Sequence, residues 1–389
     1  MQTKQLLLRA LYIAIAVVVT LWSVAYFTHD RFAKELDDNT LRQRAIESKL
    51  LSMPKSFNEL KKLIDNPANP MSKEKILLGK KLFFDTNLSH SGKTSCATCH
   101  PFNPDKNHKV LEQSLLEEAP NNCLACHQND QSGADRLTFS VGDGGVAHPH
   151  LLNVQSVINS GFYKYYTWSG EVESISDEAM DSFFAKHKMA LGEDELNLKL
   201  LTYKDEFEKA SLTPNAKSAA DAIEVYVKTL VSRGDFDRFI EGDDSAISEA
   251  AKRGLTDFMH FGCKGCHQSS SFGAKAIQRF PLRDFVGFYE LRVNESLVKQ
   301  MSELDSRFPF KNQGDFVGKD SNYHFRVPSL RNVTKTSPYF HNGAIPRIRE
   351  AVDIMARHQI GRALRDEQID DIVAFLRTLE GELVEYDYE

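Results

Sequence analysis

Along this chain apolar positions recur at helical spacing far more often than they alternate. The pattern is clearest in SAADAIEVYVKTLV, residues 218 to 231, and in RDEQIDDIVAFLRTL, residues 365 to 379, where Ile369, Ile372, Val373, Leu376 and Leu379 share one face. Strand signals are few, and long loops separate the helices. One segment differs in kind: ALYIAIAVVVTLWSVAYF, from Ala10 to Phe27, runs 18 residues without a charge. As a helix it would cover about 27 Å, nearly the apolar width of a bilayer. Lys4 and Arg9 precede it, which places the N-terminus in the cytoplasm and the rest across the membrane. The end of the run, SVAYFTHD, lacks a small-x-small cleavage pattern, so a retained single-pass anchor is favoured over a cleaved signal. The segment 30–70 is charged and helix-favouring and ends in the breakers NPANP, as a stalk would.

Charge and composition narrow the class. With 48 Lys+Arg against 54 Asp+Glu the net charge is −6, and there is no long basic run, so nucleic acid is not expected as a partner. At 389 residues, 41% of them hydrophobic, the chain has material for two or three buried cores.

The six cysteines change the picture more than anything else. Cys96 and Cys99 lie in CATCH, Cys123 and Cys126 in CLACH, and Cys263 and Cys266 in CKGCH, so every cysteine belongs to a Cys-x-x-Cys-His run ending at His100, His127 or His267. A disulfide framework or a zinc site gives no reason for a His directly after each pair. Covalent haem c does: two thioethers hold the porphyrin and the adjacent His is carried under the ring to the iron. Three covalent haems are therefore expected, with assembly outside the cytoplasm.

A polar turn at Glu241 to Asp244 precedes a helix running into the last motif, which sets a boundary near residue 242. His100 and His127 are only 27 residues apart, too close for two separate cytochrome domains, so one haem must occupy an elaborated loop of the other's domain. The expected architecture is mainly α, with two cytochrome c-like haem domains over 71–241 and 242–389 and an extra haem-bearing insertion in the first. A cytoplasmic stub and transmembrane anchor over 1–29 and a helical linker over 30–70 precede them.

Several longer stretches carry a resemblance. ILLGKKLFFDTNLSHSGKTSCATCH before the first motif, FDRFIEGDD and FGCKGCHQ at the second domain, VPSLRNVTKTSPYFHNG from 327 to 343 and EAVDIMARHQIG from 350 to 361 resemble the bacterial di-haem cytochrome c peroxidase family, which includes the methylamine-utilisation enzyme MauG. The likeness covers roughly residues 75 to 380, and a tri-haem, membrane-anchored member resembles the quinol peroxidases of that family. It implies a peroxidatic haem in the N-terminal domain, an electron-transfer haem in the C-terminal domain and calcium between them. The electron-transfer haem would be bound by Cys263 and Cys266, with His267 and Met355 as axial ligands, and thioether ligation would make it the high-potential one. MauG-type enzymes have Tyr at the place of Met355, so Met355 favours peroxidase-like electron entry. Trp168 matches the family's Trp between the haems, and Asn153, Thr336 and Pro338 match its calcium ligands, the latter two through main-chain carbonyls.

The chain also departs from the pattern. The family's acid–base Glu lies 20 residues after the bridging Trp, and here that position is Lys188, followed by the expected Met189. Either Lys188 replaces that acid, or it is a surface residue and Glu171, Glu173, Glu178 or Glu193 substitutes. The family's removable distal His falls in SVGDGGVAHPHLLN, where Asp143 occupies its aligned position; His148, His150 and His187 are alternative ligands, and His108 is one for the extra haem. The upstream context assigns the family haem to His100, whereas the distance to Asn153, 26 residues from His127 against 53 from His100, suits His127 better; His100 is favoured, with His127 as the addition.

The resemblance implies a membrane-anchored multihaem peroxidase that reduces hydrogen peroxide to water with electrons from quinol or a small cytochrome c. The placement expected is single-pass in a bacterial inner membrane with the catalytic part in the periplasm, and a homodimer is the assembly the family suggests. A tri-haem electron carrier without peroxidase activity, or MauG-like oxidation of a protein partner, are the competing functions.

Overall fold

The computed structural model describes residues 36–102, 132–282 and 308–388. The motif Cys123, Cys126 and His127, His108, and the apolar run from Ala10 to Phe27 lie outside the described residues. The chain forms two compact units, residues 1–44 and 45–389. Of the first, residues 36–44 are described, and they open helix α1 (Asp38–Glu47).

The second unit is built from α2 (Phe57–Ile64), α3 (Lys73–Phe84), the single turn α4 (Cys96–Cys99), α5 (Ile175–Phe184), α6 (Glu193–Leu200), α7 (Lys204–Lys209), α8 (Ala216–Lys228), α9 (Asp235–Ile240), α10 (Glu249–His260), α11 (Ile348–Met355) and α12 (Asp366–Arg377). Two antiparallel ribbons accompany them. β1 (Ser232–Gly234) pairs with β4 (Gly381–Leu383), Ser232 opposite Leu383, and β2 (Ile277–Arg279) pairs with β3 (His324–Arg326), Ile277 opposite Arg326. The mainly helical expectation holds, and the two clearest sequence periodicities become α8 and α12. Ser56, Ser72, Ser174, Asn215 and Ser248 each accept a backbone N–H at a helix start, satisfying donors the helix itself cannot.

Three helix crossings organise the packing: α8 on α3, α8 on α5, and α10 on α12. A glycine permits the close approach in the first and the last. A Cβ on Gly79 of α3 would fall 2.0 Å from the Ala222 carbonyl oxygen, and one on Gly254 of α10 would fall 1.8 Å from that of Asp371. Around the first two crossings, Leu78, Leu82, Phe83, Phe183, Val225 and Tyr226 form the core. Met53, Phe57 and Leu60, from the stretch read as a linker, are buried in that same core.

The membrane placement is corrected. Among the described residues no helix is long and apolar enough to cross a membrane. The longest described helix of the second unit, α8, has 13 residues, about 20 Å against the roughly 30 Å an apolar bilayer core requires. The expectation of a single-pass inner-membrane protein with a transmembrane helix therefore finds no support.

Arg331 and Asp237 form a bidentate pair, at 2.7 and 2.9 Å, with both side chains fully excluded from solvent. Both groups make further hydrogen bonds. Asp237 also accepts the backbone N–H groups of Met53 and Gly234, while Arg331 donates to the carbonyls of Ser270 and Leu51. Four separated segments thus meet on one charge pair.

A second buried polar group sits in an aromatic nest. His341 packs against Phe308, Phe310, Phe316 and Phe325, stacking on the last at 4.9 Å, and donates from Nε2 to Asn312 Oδ1 at 2.6 Å. Burial pushes its pKa down to about 3.

Both groups lend themselves to direct tests. Asp237→Ala leaves the Arg331 guanidinium buried without a counter-charge and should cost about 3–5 kcal/mol, read from chemical denaturation of the full chain. His341 stays neutral in the folded protein but titrates at its ordinary value when unfolded. Its contribution is therefore fully present above pH ~6.5 and is lost as the pH falls toward about 3. Stability measured against pH should fall over that window, and His341→Gln should flatten the slope.

Candidate functional site

The two described Cys-x-x-Cys-His runs are wound alike. In the first, α4 carries Cys96 and Cys99 on one turn, and the His100 N–H bonds the Cys96 carbonyl at 2.9 Å. In the second, a tighter turn carries Cys263 to Gly265, and the His267 N–H bonds the Cys263 carbonyl at 3.0 Å. All four thiols are free, so the disulfide alternative fails for these pairs. Burial pushes the free thiols of Cys96 and Cys263 up to about 12.

The histidines match more closely still. His100 Nδ1 lies 3.1 Å from the Gly133 carbonyl oxygen, and His267 Nδ1 lies 3.1 Å from that of Phe272. A carbonyl can only accept, so in both rings the proton sits on Nδ1 and Nε2 keeps its lone pair. Burial lowers both pKa values to about 4, keeping the rings neutral. Neutral imidazole with an oriented, unprotonated Nε2 is what an axial iron ligand requires. The residues therefore fit covalent haem c at both places.

Gly133 also donates its N–H to the Pro101 carbonyl at 3.1 Å. Its φ is +66°, and a Cβ there would meet Ser156 Oγ at 2.9 Å, so the return of the chain to the first motif depends on glycine.

Trp168 donates its indole N–H to the Asn153 carbonyl at 2.8 Å. The Asn153 side chain in turn reaches the Pro338 carbonyl at 2.7 Å, its amide nitrogen donating. Trp168 and two of the three calcium-matched residues are therefore brought together. A cation would need the Asn153 amide turned to present Oδ1. Met355 ends α11, where the helix widens into a π turn over Ala356–Ile360, and packs on the aromatic cluster of Phe308, Phe310 and Phe325.

Lys188 is partly buried, and its ammonium donates to Glu178 Oε1 at 2.6 Å and Asp181 Oδ2 at 2.7 Å, both on α5. Burial opposes its charge, but Glu178 and then Asp181 overcome that and raise its pKa. Its charge is felt at Cys99 and His100, so this cluster faces the first motif. Glu178 is one of the carboxylates the sequence offers as a substitute acid; Glu171, Glu173 and Glu193 are not among the partners of Lys188.

The distal histidine candidates separate on tautomer. His148 Nδ1 accepts the backbone N–H of His150 at 3.0 Å, so the neutral ring carries its proton on Nε2 and is a donor there. Its ring meets that of His187 at 4.5 Å, edge to face, and burial with His187, His150 and Lys188 lowers its pKa to about 4. His150 has the opposite arrangement, Nδ1 facing the Gly314 carbonyl at 2.8 Å, which leaves Nε2 its lone pair. Asp143 is a clamp. It accepts the Ser91 N–H at 2.7 Å, the Ser91 hydroxyl and the Thr94 hydroxyl at 3.0 Å, while its own N–H bonds the Lys188 carbonyl.

Comparison with known proteins bears on the whole arrangement. The family model described as di-haem cytochrome c peroxidase matches residues 73–115 and 111–245. The chain is 30% identical over 347 residues to a cytochrome c551 peroxidase of Pseudomonas aeruginosa, covering 86% of this chain and 85% of that one. It is 28% identical to the methylamine utilization protein MauG of Methylorubrum extorquens, over 87% of each. Among solved structures, a MauG-like protein associated with microbial copper homeostasis superposes with a TM-score of 0.58 at 22% identity, over 82% of this chain and 93% of that one. With two Cys-x-x-Cys-His turns whose histidines are set for iron and a relative of that identity over most of its length, the chain belongs to the di-haem cytochrome c peroxidase family of haem oxidoreductases.

Proposed function

We propose that the chain reduces hydrogen peroxide to water, taking electrons from a small cytochrome c or a quinol, with the peroxide site beside the His100 motif and electron entry at the His267 motif. The observation that carries this reading is the cluster of Lys188, Glu178, Asp181 and His148, which sets proton donors and acceptors beside one of the two motifs. The reaction consumes one H2O2, two electrons and two protons and yields two waters. Haem c, when bound, supplies the redox-active iron; the remaining roles belong to the chain.

Glu178 Oε1 holds and returns the proton that the family's Glu moves, and Lys188 fixes that carboxylate while its charge favours a departing hydroxide. His148, its Nδ1 occupied by the His150 N–H, carries its proton on Nε2 and supplies a second donor. Trp168 bridges the two motifs. Met355 completes the His267 site, an arrangement that favours a peroxidase over MauG-type oxidation of a protein partner.

A third haem would be held by Cys123, Cys126 and His127, in an insertion between the first two motifs. The hydrogen bond from the Gly133 N–H to the Pro101 carbonyl at 3.1 Å, which brings the chain back beside His100, and the break between the two family-model matches near residues 111–115 support this. Calcium takes Asn153, Thr336 and Pro338.

The competing reading is electron transfer alone, favoured by Lys188 standing where the family has Glu. Peroxide consumption by the haem-loaded, partly reduced protein decides between them. Rapid turnover with a high-spin iron signal is expected, and Glu178→Gln should lower the rate by about 10²–10⁴ with both haem spectra intact. Purely low-spin irons and no turnover would leave the electron carrier.

A further inference from the structure

Arg326 is among the largest fully buried side chains, yet no carboxylate pairs with it among the described residues. Its Nε donates to the Thr167 carbonyl at 2.9 Å, Nη2 to Gln155 Oε1, and its guanidinium lies 5.2 Å from the centre of the Tyr163 ring. The groups that act on its charge are burial, which opposes it, and the phenols of Tyr163 and Tyr166. Among the described residues its Nη1 has no partner, and neither does the amide nitrogen of Gln155 beside it. Two buried N–H donors on adjacent side chains, one of them cationic, meet no acceptor there. Leaving a buried cation without a counter-charge is costly, so the site suits an anion that the described residues do not supply.

The position of the pair says where that anion comes from. Gln155 contributes the backbone carbonyl that faces His100, and Pro328, two residues after Arg326, contributes one that faces His267. The Arg326 N–H bonds the Trp168 carbonyl at 2.9 Å. The orphaned donors thus lie between the two motifs, next to the residue that bridges them. Each covalently bound haem carries two carboxylates, and a carboxylate accepts from two donors at once.

We propose that Arg326 and Gln155 form a carboxylate-receiving site between the His100 and His267 motifs, and that a haem propionate is the carboxylate it takes. This rests on the reading that both motifs carry haem. A guanidinium held against a propionate favours the reduced, less positive iron, so the pair sets the potential of one haem as well as its seat.

The test uses the full-length, haem-loaded chain. Haem on Cys96/Cys99 and Cys263/Cys266 is first confirmed by mass; its absence overturns the reading on which the site rests, separately from the site itself. Spectroelectrochemical titration of Arg326→Gln should then show one haem potential lowered, with a carboxylate band displaced in the redox infrared difference spectrum and the other haems unmoved. Arg326→Lys should recover most of the potential. Gln155→Leu, which changes no charge, should move the same haem and the same band by less, and serves where Arg326→Gln fails to fold. Unchanged potentials and carboxylate bands in folded, fully loaded variants would mean that only water meets these donors and would overturn the proposal. Wild-type potentials that shift with added acetate would assign the site to an exchangeable carboxylate and overturn the propionate assignment.

Discussion

The Arg331–Asp237 pair is the constraint on which the arrangement around His267 depends. A buried ion pair of this kind is tolerated only when its remaining lone pairs and protons are matched, and here the matching partners come from residues 51–53, 234 and 270. Holding Ser270 in place also holds the turn of chain from Ser271 to Gly273. Phe272 has its carbonyl shared by His267 Nδ1 and the Leu330 N–H, and Ser329 donates to the Ser271 carbonyl. The orientation of one imidazole is thus transmitted from a charge pair that never touches it.

The two motifs reach one chemical result by different local means. One is a helical turn and the other a tighter turn entered through Gly262 at φ +95°, yet each histidine finds a carbonyl 3.1 Å from Nδ1. His148, a few residues from a clamp built on Asp143, has the reverse polarity because its Nδ1 meets a backbone N–H. Backbone groups, not side-chain identity, decide which rings can bind iron and which can donate a proton.

That distinction also marks what the sequence could and could not disclose. The Cys-x-x-Cys-His runs are local, so spacing alone reveals them, and α8 and α12 follow from periodicity because each buries a single stripe. The partners of Lys188 are visible in the sequence as a set of carboxylates but not as a choice, since which of them faces it depends on the angle at which α5 leaves its packing on α8. Asp143 aligns with a ligand position and proves to be a clamp for Ser91 and Thr94, a contact across about fifty residues that no local pattern encodes. The pairing of Arg326 with Gln155 spans a still longer separation, which no local spacing signals. The apolar run from Ala10 to Phe27 is a signal of another kind: it lies outside the described residues, among which no helix is long and apolar enough to cross a membrane.

Gly133 has an evolutionary corollary. Because the Gly133 N–H bonds the Pro101 carbonyl, the chain beside the first motif is joined to itself across residues 101 and 133. Closure entropy grows only logarithmically with loop length, about 0.6 kcal/mol for each doubling. The segment between these two residues can therefore be lengthened or shortened with little thermodynamic consequence for the packing of the first motif, which makes the position a natural port for inserted sequence.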